Sequence, residues 1–368
     1  MTELSMTKNT NAHKKLWATI FLIWTAAFTG VTLVYNRQHL SQWQNAFEPQ
    51  ETHERSYSVD EFTRGVDILP IHSHNDYWRK VPFWDAYKIG VKSVEADIWY
   101  YADGKDLPRK LSEDKNFDMN EIYVGHTSKF LNASKTLNSL YLDHIWGLLE
   151  NSNSYDWSNS SIKNGVFYDD PHETLFLFLD VKRAAAGTFE RLPEYLDRFI
   201  KKGYLSYYNL EKNIGYSGPL TLILTGGIPE ISYIDKNVEK LYTFLDAPLN
   251  SFMLVNNNAN TTYDSDLEKY QVYSKVASGA LEGIISDNPT VFNNTKILDT
   301  GDFTEVEMKY LKAGFKPFTE NAKAQLFYSR IWELPAWPRY KRDKIWRSLI
   351  EAGVGLLNVD DLASASMF

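Results

Sequence analysis

A closed (β/α)₈ TIM barrel, preceded by one N-terminal apolar helix, is the fold this sequence predicts, and three observations predict it. From about residue 66 onward, short apolar runs alternate with helical stretches, the pattern of a parallel sheet. The runs number close to eight, which suits a barrel of ~250 residues. The alternative, an open doubly wound sheet, lacks support because no Gly-rich loop of the GxGxxG or Walker type is present. No internal repeat is evident.

The N-terminus comes first. Residues 1–15 read as a tail. Leu16 to Tyr35, "LWATIFLIWTAAFTGVTLVY", carries no charge, and at ~1.5 Å per residue it spans about 30 Å, the thickness of a bilayer core. Trp17 and Tyr35 sit near its ends, as interface anchors do. It is expected to be a transmembrane helix. Lys14 and Lys15 precede it and Arg37 follows, a modest bias that puts the body in a lumenal or extracellular space. The rival reading is a signal peptide, cleaved to release a secreted protein. The sequons at Asn132, Asn159, Asn260 and Asn293 permit either. No Arg precedes the apolar run and Glu3 is present, so a mitochondrial transit peptide is unsupported. Residues 36–65 read as a polar linker, and 66–368 as the barrel domain.

Within that domain "VDILPI" is the first expected strand, followed by a helix near 82–89. "VKSVEADIWY" and the short "EIYVGHT" are the next strands. A helix follows over "TLNSLYLDHIWGLLE", then an Asn/Ser-rich loop over 151–171. "TLFLFLDVK" is a strongly apolar strand, a helix covers about 188–201, and "PLTLILTGG" is again a strand. "NSFMLV", "LEGIISD", "QLFYSRIW" and "GVGLLNVDD" are expected to complete the sheet.

Composition narrows the function. A 43% hydrophobic, 15% aromatic chain can bury a large core. Thirty-nine basic against 47 acidic residues give −8, which argues against a nucleic-acid partner. The absence of cysteine excludes disulfides, Cys-ligated zinc, iron–sulfur clusters and thiol nucleophiles.

Several strands end in groups that move protons or bind cations: His72 to Asp76, Glu95 and Asp97, His126, Asp180 and Lys182. In a barrel such ends meet at one mouth. Glu95 and Asp97 alternate onto one strand face, where two carboxylates repel unless a cation lies between them. A hard divalent ion, Mg²⁺ or Ca²⁺, fits; a solvated strand flank is the alternative. Asp180 ends "LFLFLD" and needs a partner, either the same ion or a basic group. Lys182, two residues on, can neutralise it or bind phosphate. His72 and His74 share a face if the strand persists that far. They are then either ligands of a transition metal, as in His-x-His hydrolases, or acid–base groups beside a carboxylate-held ion. His144 and His172 read as packing and loop residues, which leaves His126 as the third candidate.

The blocks "HSHNDY", "GVKSVEADIW", "VGHT" and "FLDVK" resemble the phospholipase C-like phosphodiesterase superfamily, which includes glycerophosphodiester phosphodiesterases and spider-venom sphingomyelinase D enzymes. "HSHNDYWRKVPFWDAYKIGVKSVEADIW", "RIWELPAWP" and "LLNVDDL" resemble more closely the fungal altered inheritance of mitochondria protein 6 family, over roughly residues 66–368. The resemblance implies a barrel of this type, Mg²⁺ or a similar ion on Glu95, Asp97 and Asp180, and His72 and His126 as the acid–base pair; of the two we assign His72 as base. Asn75, Lys182 and His74 are expected to bind substrate, a phosphodiester or phospholipid presented near the membrane by the N-terminal helix. Two departures stand out. Ser73-His74 occupies the place where related enzymes carry Arg-Gly, and Gly226-Gly227 that of an expected Gly-Asn. A barrel of this type that has lost catalysis and serves in binding is the remaining alternative.

Overall fold

The computed structural model describes residues 15–26, 29, 57–154, 162–183, 185–252, 255–257, 260–262, 267–288 and 327–368, with isolated positions between 292 and 323. The chain divides into two compact units, residues 1–49 and 50–368. In the first, residues 15–26 are helical, as is residue 29. No helix among the described residues is long and apolar enough to cross a membrane. The expected span is therefore not found, and the rest of the segment 16–35 lies outside the described residues.

The second unit is a barrel. Its eight parallel strands are β1 (Leu69–Ser73), β2 (Val91–Tyr100), β3 (Leu175–Val181), β4 (Leu220–Gly226), β5 (Thr243–Pro248), β6 (Ser274–Ala280), β7 (Tyr328–Trp332) and β8 (Leu356–Val359). Each pairs in parallel with the next, and β8 pairs with β1, which closes the sheet. A short strand, Ile122–Val124, adds antiparallel to the end of β2. A separate three-stranded patch joins Tyr207–Asn209, Ile214–Tyr216 and Lys240–Leu241.

The strands follow from composition. β3 reads LFLFLDV and its first five residues are buried, as a strand packed on both faces requires. Two expected strands are corrected. "LEGIISD" is the helix Leu281–Asp287, and its neighbour SKVASGA is the strand. Asn250–Phe252 of "NSFMLV" belong to a 3₁₀ turn, Leu249–Phe252, after the strand TFLDAP. Ser274–Ala280 has Val276 as its one β-branched residue and no aromatic one, and Thr243–Pro248 is short and carries an Asp and a Pro, so their place in the barrel decides their state. The end of the expected linker is also structured. Val59–Thr63 forms a helix with Val59 and Thr63 buried, the Thr63 hydroxyl accepting from the Tyr168 N–H at 2.9 Å.

Candidate active site

At the C-terminal end of β1 the backbone turns sharply. The strand stops at Ser73, and Asn75 adopts a left-handed conformation at φ 49°, which Asn tolerates better than most residues. Buried Asp76 secures the turn, accepting from Ser73 Oγ at 2.7 Å, the Phe83 N–H at 2.6 Å and Tyr141 Oη at 3.2 Å. Arg79 ties the loop to β8 through the carbonyls of Val359 and Asp360.

This turn separates the two histidines. His72 is fully buried. Its Nδ1 lies 2.7 Å from Ser93 Oγ and its Nε2 2.9 Å from Arg330 Nη1, so both ring nitrogens are engaged inside the barrel. Burial first, and then the Arg330 charge, push its pKa down to about 4. His74 instead lines the cavity at the mouth. Its Nδ1 meets Asp360 Oδ1 at 2.8 Å and its Nε2 lies 3.6 Å from Glu95 Oε2. Burial opposes its charge, but Glu95 and then Asp360 outweigh this and raise its pKa to about 8.

Glu95, Asp97 and Asp180 come together. Asp97 and Asp180 stand in register on β2 and β3, and one oxygen from each of the three carboxylates lies within 4.8 Å of the others. Among the described residues this is the group of three acidic or histidine side chains placed to share an ion. Three carboxylate oxygens are donors for a hard cation. Burial works against ionisation of Glu95, but His74, His72 and Arg330 hold its carboxyl well below the usual range. Burial, then the Asp97 charge, push Asp180 upward. Lys182 Nζ lies 2.7 Å from Asp180 Oδ2 and 3.1 Å from Asp97 Oδ2. Gly226, at φ +71°, gives Asp180 its room, since a Cβ there would meet Asp180 Oδ1 at 2.1 Å.

The short strand Ile122–Val124 delivers His126 to this cluster. Its ring packs on Trp78 at 4.8 Å, and Nδ1 lies 3.2 Å from both Asp97 Oδ2 and Tyr77 Oη. A cavity of about 370 Å³ is lined by His74, Asn75, Glu95, His126, Asp180 and Lys182, and also by Thr225, Gly226, Arg330, Trp332, Glu333, Leu334, Asn358 and Asp360. Of the expected site residues, His74, Asn75, Glu95, His126, Asp180 and Lys182 line this cavity. Asp97 sits in the cluster, and His72 lies beneath the cavity rather than on its wall.

Sequence reading passed over Tyr77, Arg330 and Asp360. Tyr77 lies inside the "HSHNDYW" block. Asp360 follows the last strand, as the other acidic candidates follow theirs. Arg330 is a charge set within an apolar strand, which itself calls for partners.

A sequence model of the family described as "AIM6-like phosphodiesterase domain" matches residues 60–246. Proteins named altered inheritance of mitochondria protein 6 are similar over most of the chain. That of Eremothecium gossypii is 33% identical over 84% of this chain and 72% of its own length. That of Candida glabrata is 33% identical over 84% and 74%, and that of a Saccharomyces cerevisiae strain 29% identical over 90% and 81%. No solved structure matches. On this evidence, the chain belongs to the altered inheritance of mitochondria protein 6 family, the family of the AIM6-like phosphodiesterase domain.

Proposed function

We propose that this protein is a metal-dependent phosphoric diester hydrolase acting on a glycerophosphodiester or a (lyso)phospholipid-like molecule. The observation that carries the reading is one cavity lined by two carboxylate-held histidines, His74 and His126, beside the Glu95–Asp97–Asp180 cluster and Lys182. Glu95, Asp97 and Asp180 would hold Mg²⁺, or Ca²⁺, which supplies charge neutralisation on a phosphoryl oxygen. Lys182 adds a fixed positive charge at the same place. In this reading the acid–base role expected of His72 passes to His74. His74 turns Nε2 toward the cavity, and in the metal-free protein Glu95 and Asp360 raise its pKa to about 8, which suits it to donate a proton to the leaving alkoxide. His126 is then the acceptor from the attacking hydroxyl, which belongs to water or to the substrate itself. Its Nδ1 faces Asp97, and Nε2 is left for the transfer.

The test is hydrolysis of glycerophosphodiesters and lysophospholipids by the full chain in Mg²⁺ and in EDTA. EDTA should abolish turnover. His74→Ala and His126→Ala should each cost about 10²–10⁴-fold. No turnover by a folded, metal-loaded protein would favour the binding role. Copurified zinc bound through His74 would favour the His-x-His hydrolase.

We further propose that the N-terminal segment attaches the protein to a lipid bilayer, with the body lumenal or extracellular. Its uncharged 20-residue run supports this, as do the exposed Trp17, Phe21, Leu22, Ile23 and Trp24. Alkaline carbonate extraction of cell membranes tests it: release of the full-length chain into the soluble fraction would contradict attachment, and recovery in the medium would indicate a cleaved signal.

A further inference from the structure

We propose that Arg330 is a positioning residue that clamps Glu95 in the orientation needed to share a divalent cation with Asp97 and Asp180, and that Asp246 anchors the clamp. This rests on the metal-dependent reading above. Arg330 is a buried guanidinium inside the barrel. Its Nε donates to Ser278 Oγ at 2.8 Å, and its Nη2 donates to Asp246 Oδ2 at 3.2 Å. Its Nη1 reaches His72 Nε2 at 2.9 Å and Asn358 Oδ1 at 3.3 Å, and lies 3.5 Å from Glu95 Oε1. Its Cζ sits 4.8 Å from the centre of the Phe178 ring. One side chain of β7 thus touches β1, β2, β3, β5, β6 and β8.

Such a centre is costly if its only purpose is stability. A buried ion pair loses solvation that an apolar side chain would not lose, and well-packed apolar replacements often match it. What the guanidinium adds is direction. It is planar and permanently charged, and its donors form a rigid fork. Glu95 is held at both oxygens, Oε1 facing Arg330 and Oε2 accepting the Asn75 N–H at 3.0 Å. These two contacts would orient the carboxylate, one oxygen of which lies within 4.8 Å of an oxygen on each of its two partners.

Charge and geometry act in opposite senses here. The positive charge of Arg330 repels a divalent ion, so loss of the charge alone strengthens binding; loss of the clamp weakens it. Arg330→Lys separates the two because it keeps the charge and removes the fork. The experiment is Mn²⁺ binding by the full chain, followed by electron paramagnetic resonance, with no substrate present. Arg330→Lys should weaken Mn²⁺ binding about 10- to 100-fold, the usual effect of losing support around a metal ligand. Asp246→Asn, which frees the far end of the fork, should weaken it in the same direction. The control is Lys92→Met. Lys92 is buried at the opposite end of the barrel, bonded to Tyr328 Oη at 2.9 Å, and its loss should lower the melting temperature with Mn²⁺ affinity unchanged. Wild-type affinity in both Arg330→Lys and Asp246→Asn, or equal weakening in Lys92→Met, overturns the clamp and leaves the metal site standing. No Mn²⁺ binding by the wild-type protein removes the metal site, and the clamp with it.

Discussion

His74 Nδ1 and Asp360 Oδ1 stand 2.8 Å apart, which joins the end of the first barrel strand to the end of the last. The bond turns Nε2 of the ring toward Glu95 and the cavity. Asp360→Asn keeps the shape and removes the charge that helps to raise the His74 pKa to about 8. That pKa should fall. For a histidine acting as proton donor, the alkaline limb of the kcat–pH profile should then move to lower pH. Activity at neutral pH should fall about two- to fourfold through the lost protonation, far less than the about 10²–10⁴-fold expected on removing the imidazole. An unmoved alkaline limb would place the donor elsewhere.

Gly226 and Gly203 form a natural pair of controls. Both have positive φ, +71° and +72°, but a Cβ at Gly203 meets nothing within 4 Å, whereas at Gly226 it meets Asp180 Oδ1 at 2.1 Å. Alanine at either position costs about 1–2 kcal/mol of backbone strain. Only Gly226→Ala should also displace Asp180. Calorimetric unfolding together with Mn²⁺ titration should therefore show a loss of stability in both, larger in Gly226→Ala, with metal affinity reduced in Gly226→Ala alone.

Tyr77 bears on both sides of the site. Its hydroxyl donates to Asn75 Oδ1 at 2.6 Å or to Asp97 Oδ2 at 2.8 Å, and lies 3.2 Å from His126 Nδ1. A single proton cannot serve all three, so the hydroxyl acts as a spacer that sets Asp97 against His126. Tyr77→Phe should lower kcat about ten- to a hundred-fold through misplacement of His126, with KM little changed. The accompanying loss of stability is about 1–2 kcal/mol for one buried hydrogen bond. A change confined to KM would assign Tyr77 to substrate binding instead.

These residues show how far the sequence carried the site. Glu95 and Asp97 were legible because strand alternation holds through β2, and Asp180 because a carboxylate ending so apolar a run needs company. The histidines were harder. Alternation puts His72 and His74 on one face only while the strand lasts, and it ends at Ser73, before Asn75 turns the chain. One imidazole therefore points into the barrel and the other to its mouth. Arg330 could not be placed at all, since its partners come from six other strands and no local pattern announces them. The barrel itself was legible from the rhythm of apolar runs. Ser274–Ala280 escaped because small and polar residues fill most of it, and Thr243–Pro248 because its apolar run is only Phe244-Leu245 before an Asp and a Pro; their neighbours in the sheet impose the conformation.

The two histidines also make opposite predictions for stability, best read on the metal-free protein. His72 titrates at about 4 when folded and near 6.5 when unfolded, so below pH 6.5 the unfolded chain binds the proton first. Stability is then lost as pH falls from 6.5 toward 4. By pH 5, before most carboxylates titrate, the loss from this group is about 2 kcal/mol. His74 titrates at about 8 when folded, so its contribution is complete below pH 6.5 and disappears as pH rises through 8, again by about 2 kcal/mol. Urea unfolding in EDTA between pH 5 and 9 should give a maximum near pH 6.5. His72→Gln removes the titrating group and should flatten the acid side while leaving the alkaline side in place. His74→Gln should do the reverse. An acid-side slope that survives undiminished in His72→Gln would mean that other groups carry it, and that burial beside Arg330 does not lower the His72 pKa.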